Sequence, residues 1–317
     1  MSNGIAIEIK ELCKNFQTKE VLRNLDLIVP KGKIFALLGQ NGAGKTTMVK
    51  ILSTLLNFDS GDVTVLSHKL PKDSDSVRSK ISLTGQYVAL DEDMTGEQNL
   101  ILISKLFGYK GAMAKQRAKE LLEQFDLSEA GNKPVKTYSG GMHRRLDIAA
   151  SIIKTPELLF LDEPTTGLDP RSRAVVWEFV RNLAKNGTTI FLTTQYLEEA
   201  DVLADLIAVI EGGKIVAQGT AAELKSLVGR KTIKIRLQNQ SDTGRAKNVV
   251  HEVFAEAGIK ADETNALSIE ISEVSQANQV LNELTKAGIE PMEYSISQAS
   301  LDEVFMTFTG NGGQNNG

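Results

Sequence analysis

Between residues 33 and 56 the chain has little freedom in how it folds. Lys33-Ile-Phe-Ala-Leu-Leu38 is a continuous apolar run, the pattern of a strand buried on both faces. Gly39, Gln40, Asn41, Gly42, Ala43, Gly44, Lys45 and Thr46 follow at once, and a helical pattern runs from Lys45 to about Leu56. Gly-x-x-x-x-Gly-Lys-Thr between a buried strand and a helix is the setting in which such a loop cradles phosphates. Its glycines let backbone N–H groups turn inward, and the helix N-terminus favours negative charge. Lys45 is expected to reach the β- and γ-phosphates of a nucleotide, and the Thr46 hydroxyl to ligate Mg²⁺. Thr47 completes the expected nucleotide-binding stretch.

The remaining pattern predicts an α/β fold. Residues 5–10 alternate and 21–29 do so more loosely, which reads as edge-type strands. Residues 97–127 are helix-rich, and Gly140 to Ile153 reads as another helix. Leu158-Leu-Phe-Leu161 and Thr189-Ile-Phe-Leu192 are short buried strands, and Ala204 to Gln218 contains a hairpin turning at Gly212-Gly213. Strands alternating with helices imply a mostly parallel sheet covered on both faces.

Near residue 220 the composition shifts. Lys231 to Leu237 alternates as a strand, Ala246 to Ala257 reads as a helix closed by Gly258, and Leu267 to Ile271 is a strand. Ser275 to Ala287 is a helix closed by Gly288, and Met292 to Ser297 a last strand. That β-α-β-β-α-β order predicts a small α+β ferredoxin-like domain. The expected domains are 1–220, with a helical subdomain at about 86–157, then 221–309, and a disordered tail at 310–317.

A formal net charge of -4 offers no basic field for nucleic acid or anionic lipid. The lone cysteine, Cys13, suits a reducing cytosol and reads as plain core. No basic-then-apolar leader is visible at the N-terminus. No apolar stretch approaches the roughly 20 residues that span a bilayer, so any spanning falls to another polypeptide. His68, His143 and His251 are scattered, without the spacing of a metal site. His143, Arg144 and Arg145 read as residues that solvate a helix or meet a partner.

The strand Leu158 to Leu161 runs into Asp162 and Glu163. Asp162 is placed to hold Mg²⁺ through water, and Glu163 to accept a proton from water attacking a γ-phosphate. Between the two motifs stands Tyr138-Ser139-Gly140-Gly141-Met142, directly before a helix. With this run the chain resembles the ABC-transporter ATPases across about residues 5–220, a P-loop NTPase fold.

The resemblance implies several roles. Phe16 matches the aromatic that stacks on adenine, and Gln86 the glutamine that senses Mg²⁺ and the attacking water. Gly167-Leu168-Asp169 matches the loop that touches the opposing subunit. Ser139, Gly140 and Gly141 match the signature that completes the phosphate cage of a second copy, so ATP is sandwiched in a homodimer. The stretch 87–99 matches the surface that faces a membrane subunit. Residues 193–201, Thr-Thr-Gln-Tyr-Leu-Glu-Glu-Ala-Asp, and Ser300-Leu-Asp-Glu-Val-Phe305 look like the daunorubicin-resistance type, the cytoplasmic motor of exporters whose transmembrane permease subunits are separate chains. This implies a place on the inner face of the cell membrane.

Three departures stand out. Met142 replaces the usual signature glutamine, and Tyr138 the usual leucine. The switch histidine aligns with Gln195, which is either a neutral replacement or a retained contact that donates without carrying charge; the second reading is preferred. A soluble ABC protein acting in translation or chromosome maintenance is the competing function, and an ATP binder without hydrolysis a third. The C-terminal domain is expected to regulate, to stabilise a dimer or to be a plain appendage.

Overall fold

The computed structural model describes residues 4–84, 90–228, 231–254, 258–261, 266–271, 273–297 and 300–310. The chain divides into two compact units, Met1–Ala221 and Ala222–Gly317.

In the first unit the long strands β1 (Ile5–Phe16) and β2 (Lys19–Pro30) form an antiparallel hairpin. Then come β3 (Ile34–Leu38) and α1 (Lys45–Leu52). β4 (Ser60–Val65), β5 (His68–Leu70), α2 (Ser74–Arg78) and β6 (Ile81–Thr84) follow. Helices α3 (Gly96–Leu106), α4 (Gly111–Gln124) and α5 (Gly140–Ser151) lead to β7 (Leu158–Asp162) and α6 (Pro170–Lys185). β8 (Thr189–Thr194), α7 (Leu197–Leu203), β9 (Leu206–Glu211) and β10 (Lys214–Gly219) complete it. The next helix, α8, spans Ala221–Val228.

One sheet has the order β10-β9-β3-β8-β7-β6. Its strands β9, β3, β8, β7 and β6 are parallel, and β10 returns antiparallel through Gly212-Gly213, both at positive φ. β3, β7 and β8 are buried at every residue, as their unbroken apolar character requires. A second sheet, β2-β1-β4-β5, is antiparallel. β1 is therefore interior, paired on both sides, rather than an edge strand. Its alternation reflects one face turned to the core, where Ile7 and Ile9 join Phe35, Phe160 and Phe191. Each such side chain contributes about 1.5–3 kcal/mol of burial. Cys13 is half-buried rather than core, its sulfur accepting from the Asn24 N–H at 3.2 Å.

The helix after the phosphate loop is shorter than its apolar pattern, because Thr54 takes φ 67 just beyond Leu52. α3 starts on a reciprocal Thr95–Gln98 capping box. α6 starts on Asp169 with Pro170 in its first turn and buries Val176, Phe179, Val180 and Leu183.

The second unit adds β11 (Lys231–Leu237), α9 (Thr243–Val253), β12 (Ile259–Ala261), β13 (Ala266–Ile271), α10 (Val274–Lys286), β14 (Pro291–Ser297) and α11 (Leu301–Gly310). Its antiparallel sheet runs β12-β13-β11-β14. Ala246, Val250, Ala277, Val280 and Leu284 of the two helices pack with Ile233, Ile235, Leu267 and Ile269. α10 closes toward Gly288 at φ 73, whereas α9 stops at Val253, short of Gly258. Gly310 closes α11 instead of opening the tail, and 311–317 lie outside the described residues. Among the described residues no helix is long and apolar enough to cross a membrane.

Candidate functional site

The loop from Gly39 to Thr46 leaves the carboxyl end of β3 and enters α1. Two of its glycines have no alternative. A Cβ on Gly39 would lie 2.5 Å from the Ile210 carbonyl, and one on Gly44, at φ 113, 2.7 Å from Leu22. Gly42 has φ 85 with open space around it. Lys45, 4% exposed, donates to the carbonyls of Gly39 at 2.8 Å and Gln40 at 3.1 Å. Its ammonium also stands 3.3 Å from Glu163.

β7 ends at Asp162, with Glu163 the next residue, beside the parallel strand β8. Asp162 is buried and accepts from the Thr193 hydroxyl, and its Oδ1 lies 3.5 Å from Thr46 Oγ1. Glu163 takes φ 49, a left-handed conformation that costs a non-glycine residue about 1–2 kcal/mol. The conformation is held by its N–H, which donates to the Thr193 carbonyl at 3.1 Å and hydroxyl at 3.2 Å. Thr166 donates to the other carboxylate oxygen at 3.3 Å. A cavity of about 360 Å³ gathers Phe16, Lys19, Val21, Asn41, Gly42, Gly44, Lys45, Thr46, Thr47 and Glu163. Phe16 is half exposed there, with Lys14 5.5 Å from its ring centre. Gln195 is half-buried in the bend between β8 and α7 and is not among the residues lining this cavity. Gln86 lies outside the described residues.

The run Ser139-Gly140-Gly141 opens α5. Ser139 is its N-cap, accepting from the Met142 N–H at 3.3 Å. Gly141 sits against α6: a Cβ there would meet Ser172 Oγ at 2.7 Å. Asp169 caps α6 by accepting from the Ser172 N–H at 2.9 Å and hydroxyl at 2.6 Å. That hydroxyl bond, then the N–H, holds its carboxyl below the usual range. At Gly140, by contrast, a Cβ would meet nothing within 4 Å. Tyr138 donates its hydroxyl to the Ala130 carbonyl at 2.8 Å, a bond that leucine lacks.

For the two arginines the first of the sequence readings, solvating the helix, is corrected: both donate to main-chain carbonyls. Arg144 donates to the main-chain carbonyls of Asp162 at 3.1 Å, Glu163 at 3.4 Å and Pro164 at 3.1 Å, and burial pushes its guanidinium below the ordinary value. Arg145, 9% exposed, donates to the carbonyls of Phe125 at 2.7 Å and Asp126 at 3.1 Å. His143 Nδ1 lies 3.4 Å from the carboxylate of Asp147, one helical turn on. The signature helix is thus pinned to the turn that carries Glu163. His143, Arg144, Asp147, Asp162 and Glu163 line a second cavity of about 420 Å³ beside it.

Sequence reasoning also missed Thr193 and Glu199. Glu199 is 1% exposed and accepts from Thr165 at 2.9 Å and the Trp177 indole at 3.2 Å, and burial raises its carboxyl. The only linear signal for Thr193 is a pair of threonines ending an otherwise apolar strand. Among the described residues no cluster of His, Cys, Asp and Glu is arranged to hold a metal by itself.

Comparison with known proteins identifies the family. The ABC transporter family profile matches residues 22–166, and the C-terminal domain of DrrA1-3-like ATP-binding proteins matches 219–309. The daunorubicin/doxorubicin resistance ATP-binding protein DrrA of Streptomyces peucetius is 47% identical, covering 96% of this chain and 92% of that one. The linearmycin resistance ATP-binding protein LnrL of Bacillus subtilis is 34% identical, covering 96% and 98%. A solved ATP-binding subunit of an ABC transporter, 26% identical, superposes with TM-score 0.62 over 70% of this chain and 92% of that one. A dimeric ATP-binding cassette solved in a post-hydrolysis state with ADP and Pi, 24% identical, shares the fold at TM-score 0.61 over 68% and 98%. The Gly39–Thr46 loop, the Asp162–Glu163 pair and α5 meet on a fold shared with these cassettes, and the chain belongs to the ATP-binding proteins of ABC transporters, in their DrrA-like group.

Proposed function

We propose that this chain hydrolyses ATP as the peripheral motor of an exporter, and that its cargo is drug- or antibiotic-like. The observation that carries the chemistry is the convergence of Lys45, Thr46 and Glu163 on one cavity with Phe16 at its rim. The resistance named in its relatives supports the cargo class. Phe16 offers a face for adenine, and the N–H groups of Gly39 through Thr47 receive the phosphates. Thr46 and Asp162 supply hard oxygen donors 3.5 Å apart, a set that suits Mg²⁺ and would let it neutralise developing phosphate charge.

Water attacks the γ-phosphorus, Glu163 accepts its proton, and the bond to the β-phosphate oxygen breaks, leaving ADP and phosphate. Lys45 moves from Glu163 to the phosphates when nucleotide enters, which frees the carboxylate as base. Ser139, Gly140 and Gly141 serve the nucleotide of a second copy, with Asp169 at the same face. Gln195 donates to the γ-phosphate. Separate transmembrane permease subunits contact the stretch 87–99, of which 87–89 lie outside the described residues, and the chain works from the cytoplasmic side. No role for nucleic acid is proposed.

The test is Glu163→Gln. General-base loss should cut turnover about 10²–10⁴-fold, while light scattering with saturating ATP detects a stable dimer. A variant that stays monomeric at saturating ATP contradicts the sandwich. Co-purification of a polytopic membrane protein from detergent extracts tests the transport role, and ribosomes or DNA in its place would overturn that role.

A further inference from the structure

Phe16 stands at the end of a hairpin whose own ladder is irregular. It is the last residue of β1 and pairs with Lys19 across a turn in which Gln17 takes φ 53. The β1–β2 register slips on both sides of Lys14, and the pairing of β1 with β4 ends at Cys13–Ser60. Regular strand pairing therefore does not by itself fix residues 14–16. Asp59, on the link between α1 and β4, supplies the missing hold. Its N–H donates to the Cys13 carbonyl at 3.0 Å. Its carboxylate accepts from the Lys14 ammonium at 2.7 Å through Oδ1 and from the Asn15 N–H at 2.6 Å through Oδ2. The Lys14 bond, then the Asn15 N–H, holds that carboxyl below its usual range. Lysine ordinarily extends its ammonium into water, yet the Lys14 side chain is only 12% exposed. Its ammonium lies 5.5 Å from the Phe16 ring centre, within cation–π reach. Neither Lys14 nor Asp59 lines the cavity that Phe16 enters, so Lys14 backs the ring and leaves the cavity side open.

We infer that Lys14 and Asp59 are positioning residues for the base of the nucleotide, because together they fix the ring on which it stacks. The inference rests on Phe16 being the adenine face. α1 begins at Lys45 in the phosphate loop, and the link that follows this helix carries Asp59 back to β1. The base platform is thereby tied to the same segment that starts at the phosphates. Asp59, rather than the hairpin tip, sets the span between the two ends of the nucleotide. Lys14 adds a cation behind the ring, which holds the ring plane by attraction to its π-face.

Calorimetric binding of ADP and of pyrophosphate, both with Mg²⁺, separates the two ends of the site. Lys14→Met and Asp59→Ala should each weaken ADP about five- to tenfold, the scale of a cation–π contact or a charged hydrogen bond, and leave pyrophosphate within about twofold. Lys14→Arg keeps the cation and should stay near wild type. In a Phe16→Ala background Lys14→Met should weaken ADP little further, because the ring it positions is already gone. A general packing defect would instead weaken both ligands and add to Phe16→Ala. Unchanged ADP affinity in Lys14→Met and Asp59→Ala, equal losses for ADP and pyrophosphate, or additivity with Phe16→Ala overturns the inference. If Phe16→Ala itself leaves ADP affinity unchanged, the adenine reading falls and takes this inference with it. If Phe16→Ala alone discriminates ADP from pyrophosphate, the adenine reading stands and only the positioning role is overturned.

Discussion

The ammonium of Lys45 lies 3.3 Å from the carboxylate of Glu163, joining the residue expected to hold phosphate with the residue expected to activate water. Lys45 is almost fully buried and Glu163 is one-fifth exposed, so the contact is only partly screened by solvent. The pair also answers a structural need, because the backbone of Glu163 is held at φ 49 and its side chain is thereby aimed at the loop.

Arg144 acts on this pair indirectly. Its guanidinium holds the carbonyls of Asp162, Glu163 and Pro164, so it is a positioning residue. Arg144→Met should lower kcat by roughly tenfold or more, since small misplacements of a base are costly, with ATP affinity nearly unchanged. Equilibrium nucleotide binding beside steady-state turnover checks the split; equal losses in both would mean general unfolding.

Adjacent glycines of the signature should respond differently. Gly141→Ala meets Ser172 within its own subunit and should lower monomer stability by about 1–3 kcal/mol. Gly140→Ala has room in the monomer and should leave thermal unfolding unchanged or slightly raised. It should nonetheless impair ATP-dependent dimerisation in the Glu163→Gln background. Unimpaired dimerisation would show that Gly140 does not face a second copy.

Gln195→Ala should slow turnover on the order of tenfold or more, as expected for losing a donor to the transferred phosphoryl group. Gln195→His should be far milder. Steady-state ATPase rates decide this, and equal rates for wild type and Gln195→Ala would remove Gln195 from the mechanism.

Glu199 predicts a pH dependence of stability. Burial raises its folded-state pKa, only partly offset by the Thr194, Thr165 and Trp177 bonds. A raised carboxyl contributes stability that is full below the unfolded pKa and lost as pH rises through the folded one. Glu199→Gln removes the titration, so the variant should gain on wild type over the range above the unfolded carboxyl pKa of about 4.3. Urea unfolding of both chains across that range measures it; parallel curves would refute it.

How much was legible follows from how local each feature is. The phosphate loop, the buried strands and the acid pair are written in consecutive residues, because glycine spacing, an unbroken apolar run and terminal carboxylates dictate local geometry without help. β1 reads as an edge strand because alternation reports one buried face and says nothing about how many neighbours a strand has. The roles of Arg144 and Arg145 are hidden for a similar reason. A charged residue on an amphipathic helix reads as solvated until main-chain carbonyls from residues 125, 126 and 162–164 close around it.

The sequence alone determined that a strand, a glycine loop and a helix would make a nest for phosphate. Backbone conformation there depends on residue types a few positions apart. Only the tertiary structure decided that Lys45 meets Glu163, that Thr193 fixes both acids, and that Gly141 is walled in while Gly140 is open. Those relations join segments separated by 30 residues or more in Thr193–Glu163 and by over 100 in Lys45–Glu163. They exist because parallel pairing brings β3, β8 and β7 side by side with their carboxyl ends level.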